Sequence, residues 1–206
     1  TDTIIFANNG FASQFGFQKK NLIPIVTWGS LTRSLDKEEK QSLGGQDTWN
    51  IIPADPFGTS IRRIPGDRIL IRNIYNYSST LNAKEKDRLW VKNKHERSLK
   101  NRFPALKELA FEYTWGGPLC LSRNGEPAFG NLLENVYGAF CLNGVGIARG
   151  TVLGKLIAEY ILGEKSDLLQ IILRGNGPNR LPPKPFLGWG ISLNFANRRR
   201  IAGIEL

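Results

Sequence analysis

Four consecutive residues, Asn143-Gly144-Val145-Gly146, have the composition of a turn that can present backbone N–H groups to a ligand. They follow a run rich in β-formers, Val136 to Leu142. They precede a segment with apolar residues at Val152, Leu153, Leu156, Ile157, Tyr160 and Ile161. That i, i+3, i+4 rhythm predicts one buried helix face, and Gly163 suits the position that ends the helix. A strand, a glycine turn and a helix N-terminus in series aim unpaired donors and a positive helix end at an anion or an electron-rich ring. The same residues also suit a plain tight connection between two elements. A dinucleotide-phosphate loop matches poorly, because the glycines at 144, 146 and 150 are one residue off G-x-G-x-x-G. Asp167, the acid in the expected range, precedes the next apolar run, Leu168 to Leu173, instead of ending it.

Other reactive side chains are sparse. Arg72 ends an otherwise apolar strand-like run, Arg68 to Ile74, and is either an exposed strand end or a charge pointed into a site. One histidine, His95, and two cysteines, Cys120 and Cys141, leave almost no material for a zinc site or a Ser-His-Asp arrangement. No metal site is expected, and both cysteines read as small core residues. The net charge of +10 invites a nucleic-acid reading. The basic residues are scattered, however. The cluster from Lys84 to Arg102 alternates with Glu85, Asp87 and Glu96, the pattern of a solvated helix face. Arg198-Arg199-Arg200 stands alone near the C-terminus, and no finger, helix-turn-helix or RNP motif accompanies it.

The elements that must hold these residues follow from patterning. With 206 residues and 41% apolar content the chain can bury a core. No apolar run approaches the ~20 residues that span a bilayer. Thr1 to Phe6 lacks the basic start and long apolar stretch of a signal peptide, so a cytoplasmic protein is expected. The chain contains no Met, and its start reads as mid-protein. Thr3 to Ala7 predicts a buried strand ending at the turn-forming Asn8-Asn9-Gly10. Leu22 to Thr32, Trp49 to Pro53, Gly58 to Ile64, Arg68 to Ile74 and Ala110 to Trp115 predict further strands, with Pro65-Gly66-Asp67 as a turn. Ser34 is placed to cap a helix over 35–43. Asn82 is placed to cap a long helix over 83–102, with Leu89, Leu99 and Phe103 on one face. Gly175 to Pro185 reads as loop, and Trp189 to Ile204 is mixed. The result is a mixed α/β (α+β) chain whose middle, about Leu22 to Leu119, is an antiparallel sheet with helices.

An ordered series of short motifs adds to this. It comprises Tyr113-Thr114-Trp115-Gly116-Gly117, Asn124-Gly125-Glu126-Pro127-Ala128-Phe129-Gly130, Asn135-Val136-Tyr137-Gly138-Ala139-Phe140, the turn Asn143 to Gly146, and Gly154 to Glu159. The series resembles the C-terminal half of the FAD-dependent D-amino-acid oxidase superfamily, in particular its γ-glutamylputrescine oxidase, glycine oxidase and sarcosine oxidase group. Phe6 to Phe11, Phe103 to Leu106, Leu181-Pro182-Pro183 and Gly188-Trp189-Gly190 resemble further family segments, so the likeness covers nearly the whole chain. The family's N-terminal G-x-G-x-x-G segment, which grips the ADP half of FAD, is absent from this sequence. Val145 replaces the histidine that many relatives carry in the flavin turn.

The resemblance implies a substrate-binding domain at 21–119. Residues 1–20 and 120–165 would be the C-terminal part of an FAD-binding Rossmann-like domain, with a tail at 166–206. It implies FAD as cofactor and oxidation of an amine or amino acid to an imine with hydride transfer to flavin. Asn9, Gly10, Gly116, Gly117, Asn143, Gly144, Val145, Gly146 and Ile147 would contact the flavin, the last five through backbone N–H groups. Arg72 would bind a substrate carboxylate or place positive charge near the reacting ring, and Tyr113 and Trp115 would wall the cavity. Trp28 suits that wall or ordinary core. Partners are then a small amine or amino acid and a missing N-terminal half, without which the isolated chain is expected to be inactive. A module that kept the fold and lost the chemistry is the alternative, and a basic nucleic-acid-binding protein a further one.

Overall fold

The computed structural model describes residues 2–203. Among these residues the strands are β1 (Ile4–Phe6), β2 (Leu22–Thr32), β3 (Trp49–Ile51), β4 (Ser60–Ile64), β5 (Arg68–Tyr77), β6 (Phe111–Ser122), β7 (Ala128–Leu133) and β8 (Val136–Phe140). The α-helices among them are α1 (Lys37–Leu43), α2 (Glu85–Arg102), α3 (Gly146–Leu162), α4 (Asp167–Leu173) and α5 (Lys184–Ala202). These form two compact units. Unit 1 is the N-terminal stretch through Ile25, Tyr77–Leu81 and Pro118–Gly188. Unit 2 is Val26–Asn76, Asn82–Gly117 and the stretch from Trp189.

Unit 1 is built on a three-stranded sheet in the order β1-β8-β7, with β1 parallel and β7 antiparallel to β8. Ala139 on β8 packs with Leu153 and Ile157 of α3, the apolar helix face read from the sequence. Gly163 ends α3 in the left-handed conformation (φ 75°). A second cluster gathers Ala12, Leu22, Cys120, Ala128, Phe140 and Cys141. The strand expected at Thr3 to Ala7 forms, but Ile4 and Ile5 are each 47% exposed. The apolar run signalled strand correctly and burial incorrectly, because β1 has a neighbour on one edge only. The run Leu168 to Leu173 becomes α4, capped by the Ser166 hydroxyl, which accepts from the Leu169 N–H.

Unit 2 carries most of the five-stranded sheet, in the order β3-β4-β5-β2-β6. β3–β4 and β4–β5 are antiparallel, and Gly66 (φ 86°) and Asp67 (φ 55°) make the turn of the second hairpin. Ile61, Ile69 and Ile71 pack with Leu99, Leu106, Leu109 and Phe111 under one face of the sheet. Four expectations shift here. Asp36, not Ser34, caps α1, in a reciprocal capping box with Glu39. α2 begins at Glu85 with Lys84 in the cap position, and its buried residues are Val91, His95, Ser98 and Leu99, whereas Leu89 is 54% exposed. β6 runs unbroken through Gly116-Gly117-Pro118. The strand tolerates Gly116 because that position needs a glycine: a Cβ there would lie 2.7 Å from Ala83 Cβ and 2.8 Å from Val26 Cγ1. The segment read as mixed, 189–204, is helical as far as Ala202, and Ile204 lies outside the described residues.

Candidate functional site

Of the sequence candidates, Asn9, Gly10 and Asn143 to Ile147 fall in unit 1, and Arg72, Tyr113, Trp115, Gly116 and Gly117 in unit 2. In unit 1 the chain leaves β8 and crosses Cys141 (φ 62°), Asn143 (φ 53°) and Gly144 (φ 79°) before α3 begins at Gly146. Three left-handed residues in four compress the turn, and side chains hold it there. Asn143 Oδ1 accepts from the Ser122 N–H at 2.6 Å. Its Nδ2 donates to the carbonyls of Cys141 (3.0 Å), Gly125 (3.0 Å) and Glu126 (3.2 Å). Asn9 Oδ1 accepts from the Leu142 N–H (3.3 Å) and the Cys120 thiol (3.2 Å). Asn9 and Asn143 therefore act through their side chains on the turn itself. Gly10 approaches Cys120, where a Cβ would meet Cys120 Cβ at 3.2 Å. The hydrogen bond to Cys141 and burial push the Cys120 thiol far above its ordinary range, so it stays neutral.

What the turn presents outward is backbone. α3 starts with Val145 in the cap position and no side-chain cap hydrogen bond, and its first turn holds no acid. The first N–H groups of a helix have no intrahelical partner, so those of Gly146 to Ala148 remain available. Val145 is 52% and Ile147 91% exposed, and a Cβ at Gly144 or Gly146 would meet nothing within 4 Å. Next to Asn9 in the chain, Asn8 Oδ1 is buried and accepts no hydrogen bond among the described residues. Open space and uncapped donors fit a bound electron-rich group.

In unit 2 the strand pleat divides the sheet into two faces. Ile69 and Ile71 join the core with Leu99 of α2, so Leu70 and Arg72 point the other way. Register pairs Arg72 with Ser60, and Arg72 Nη2 donates to Ser60 Oγ at 3.0 Å. Its Nη1 donates to the Tyr75 hydroxyl, and the guanidinium lies 5.4 Å from the Tyr75 ring centre. Among the described residues no carboxylate pairs with Arg72. Burial, with repulsion from Arg62, lowers its pKa. On β6, Thr114 faces α2 through Ser30, which leaves Tyr113 and Trp115 on the face opposite. Trp115 covers Gly29, where a Cβ would meet the indole at 3.1 Å, and Arg68 lies 5.7 Å from the Tyr113 ring centre. Tyr113 is 53% and Trp115 45% exposed. Arg72, Tyr113 and Trp115 thus share the open face of one sheet. Thr27 Oγ1, by its parity with Gly29 on this face, is buried without a partner. Gly117 borders open space, while Gly116 packs on Val26 and Trp28 and serves the fold. Trp28, 1% exposed among Val26, Ile74 and Val91, is core.

The α2 face of the same sheet carries a polar chain that the sequence reading passed over. His95 is fully buried, with Nε2 2.7 Å from Asn73 Oδ1 and Nδ1 2.7 Å from Ser30 Oγ. Asn73 Nδ2 donates to Thr59 Oγ1 at 2.8 Å. Because Asn73 offers its oxygen, the neutral imidazole donates from Nε2 and accepts the Ser30 hydroxyl at Nδ1. Ser30 in turn accepts from Thr114 at 2.8 Å. Burial lowers the His95 pKa to about 4. The signal for this was its placement: Val91, His95 and Leu99 recur every four residues, so the histidine falls on the buried stripe of α2.

Comparison with known proteins bears on both units. The sequence profile described as DAO, FAD dependent oxidoreductase, matches residues 1–160. A Haemophilus influenzae protein described as "Probable oxidoreductase OrdL" is 35% identical over 66 residues, 32% of this chain and 15% of that protein. The Escherichia coli gamma-glutamylputrescine oxidoreductase is 33% identical over 86 residues, 42% of this chain and 18% of that protein. The structure of L-proline dehydrogenase from P. horikoshii superposes with a TM-score of 0.62 at 18% identity, over 82% of this chain and 45% of that one. The chain therefore spans under half the length of that structure, and shares its fold. Among the described residues no helix is long and apolar enough to cross a membrane, and no group of three or more His, Cys, Asp or Glu is placed to hold a metal.

Proposed function

The chain belongs to the FAD dependent oxidoreductase (DAO) family, and on that premise we propose that it is the substrate-facing part of an FAD-dependent oxidase or dehydrogenase of amines or amino acids. The observation that carries this reading is the uncapped N-terminus of α3 behind a turn locked by Asn143. It is an array of backbone donors, from Gly146 to Ala148, for which no acceptor is found among the described residues. Two relatives whose names concern a glutamylated putrescine and L-proline support the substrate class.

Asn9, Gly10 and Asn143 to Ile147 would hold the flavin in unit 1, Val145 not through its N–H, which donates to the Leu142 carbonyl at 3.1 Å. When bound, FAD supplies a two-electron acceptor for oxidation of a carbon–nitrogen single bond. The N–H groups of Gly146 and Ile147 stabilise negative charge on an oxygen or nitrogen acceptor placed before them. Arg72, desolvated and without a carboxylate of its own, binds and orients a substrate carboxylate. Tyr113 and Trp115 wall the open sheet face and limit water there. By this assignment residues 21–119 are the substrate domain, 1–20 and 120–165 belong to the FAD-binding domain, and 166–206 form the tail. A G-x-G-x-x-G segment from outside this sequence completes the cofactor site. Two free, buried cysteines suit a reducing compartment such as the cytoplasm.

The test is direct. Full-length protein should purify with flavin absorbance that bleaches anaerobically on adding an amine or amino-acid substrate. The 206-residue chain alone should retain little flavin and turn nothing over. Full-length protein that carries no flavin and takes up none would overturn the assignment.

A further inference from the structure

We propose that unit 2 holds an anion site on the α2 face of its sheet, away from the open face, and that it takes a compact oxyanion of the phosphate class. A cavity of about 390 Å³ is lined there by one face of α2, by Asn73 and Ile74 of β5, and by Arg199 of α5. The α2 contributions are Trp90, Lys94, Arg97, Ser98 and Asn101, spaced i, i+4, i+7, i+8 and i+11 along a single stripe. Ser98 is buried at the back of this stripe, while Trp90, Lys94, Arg97 and Asn101 are exposed along it. The stripe offers an ammonium, a guanidinium, a hydroxyl and an amide.

Charge makes the case. Three cations, Lys94, Arg97 and Arg199, line the cavity, and no acid does. Among the described residues none of the three forms an ion pair. Elsewhere on the same helix Arg88 is neutralised by Glu85. Three like charges around one cavity repel, and a multiply charged anion relieves that repulsion. Arg199 is fixed from behind, since its Nη2 donates to the Tyr75 carbonyl at 2.7 Å, which leaves other N–H groups of the fork to a ligand. Burial lowers the Arg199 pKa, the signature of a guanidinium held partly out of water. Lys94 is steered by the Trp90 ring, 5.7 Å from its Nζ. Planar arginine forks match the oxygens of a tetrahedral oxyanion two at a time.

The wall is also strained. Ile74 has φ 60°, a conformation that β-branched residues rarely adopt. The left-handed residue breaks the strand alternation, so that Asn73 and Ile74 both turn toward α2, Asn73 onto His95 and Ile74 onto Val91. Strain of this kind persists where surrounding contacts over-determine it and is concentrated at ligand sites. None of this depends on flavin.

Pyrophosphate is the probe. Calorimetric titration into the protein at constant ionic strength should give saturable binding, at least ten-fold tighter than that of chloride. Arg97→Gln should weaken it ten-fold or more and Lys94→Gln several-fold, with Arg200→Gln, outside the cavity, unchanged. Arg97 is exposed and carries the test even if Arg199→Gln, which also loses the Tyr75 contact, fails to fold. Heat no greater than in the chloride control, an undiminished Arg97→Gln response, or saturable binding of citrate but not pyrophosphate would overturn the proposal.

Discussion

The two units use opposite parts of the polypeptide to make a site. Unit 1 presents backbone: the Asn9 and Asn143 side chains are spent on tying the turn, and what faces outward is the N-terminus of α3. Unit 2 presents side chains, with Arg72, Tyr113 and Trp115 on one sheet face and the His95 chain on the other. Backbone donors tolerate varied side chains around them, since any residue brings its N–H. A site built from side chains depends on residue identity.

The contrast can be broken at His95 first. His95→Ala removes a buried ring and leaves Asn73 Oδ1 without a donor and the Ser30 hydroxyl proton without an acceptor, so a loss of about 3–5 kcal/mol is expected. Urea unfolding should show it in unit 2, and an unchanged midpoint would mean the polar chain contributes nothing.

The second effect is the pH dependence of the wild type. A histidine with a folded pKa of about 4 against about 6.5 unfolded leaves the unfolded state binding more protons between those values. Stability is therefore full above pH 6.5 and falls by about 3 kcal/mol as the pH drops toward 4. Unfolding free energy measured at pH 4.5 and pH 7.5 should differ accordingly. His95→Gln should flatten the part of the profile that other groups do not share. One such group is Glu39, whose hydrogen bond from Arg33 holds its carboxyl below the usual range.

The smallest stability effect sharpens the contrast from the other side. Gly144→Ala places a Cβ at φ 79° in open space, for a cost of about 1 kcal/mol. If the turn presents backbone to flavin, retention of FAD by the full-length protein should fall far more than that cost explains. Equal, small changes in both would leave the turn a plain connection.

Legibility followed the range of the forces involved. The glycine turn, the α3 face, the Gly163 stop and the Gly66-Asp67 turn were readable because local sterics and periodicity set them. The α1 cap was misplaced by two residues because Ser34 and Asp36 are both good caps, and only the reciprocal bond with Glu39 chooses between them. Gly116-Gly117-Pro118 reads as a break. The strand continues because Ala83, Val26 and Trp28 fill the space at Gly116. Leu89 was expected inside, but α2 turns Val91, His95 and Leu99 inward, a choice that belongs to the sheet it packs on.

By itself the sequence determined most of the strands, the α3 helix, the family and the residues able to do chemistry, since propensity, spacing and motif order are properties of neighbours along the chain. Tertiary structure alone decided which face each residue occupies. It set Arg72, Tyr113 and Trp115 on one face of a sheet, and His95, Asn73 and three cations on the other. Facing is fixed by pleat, register and one left-handed residue at Ile74, and these depend on contacts between segments far apart in the chain.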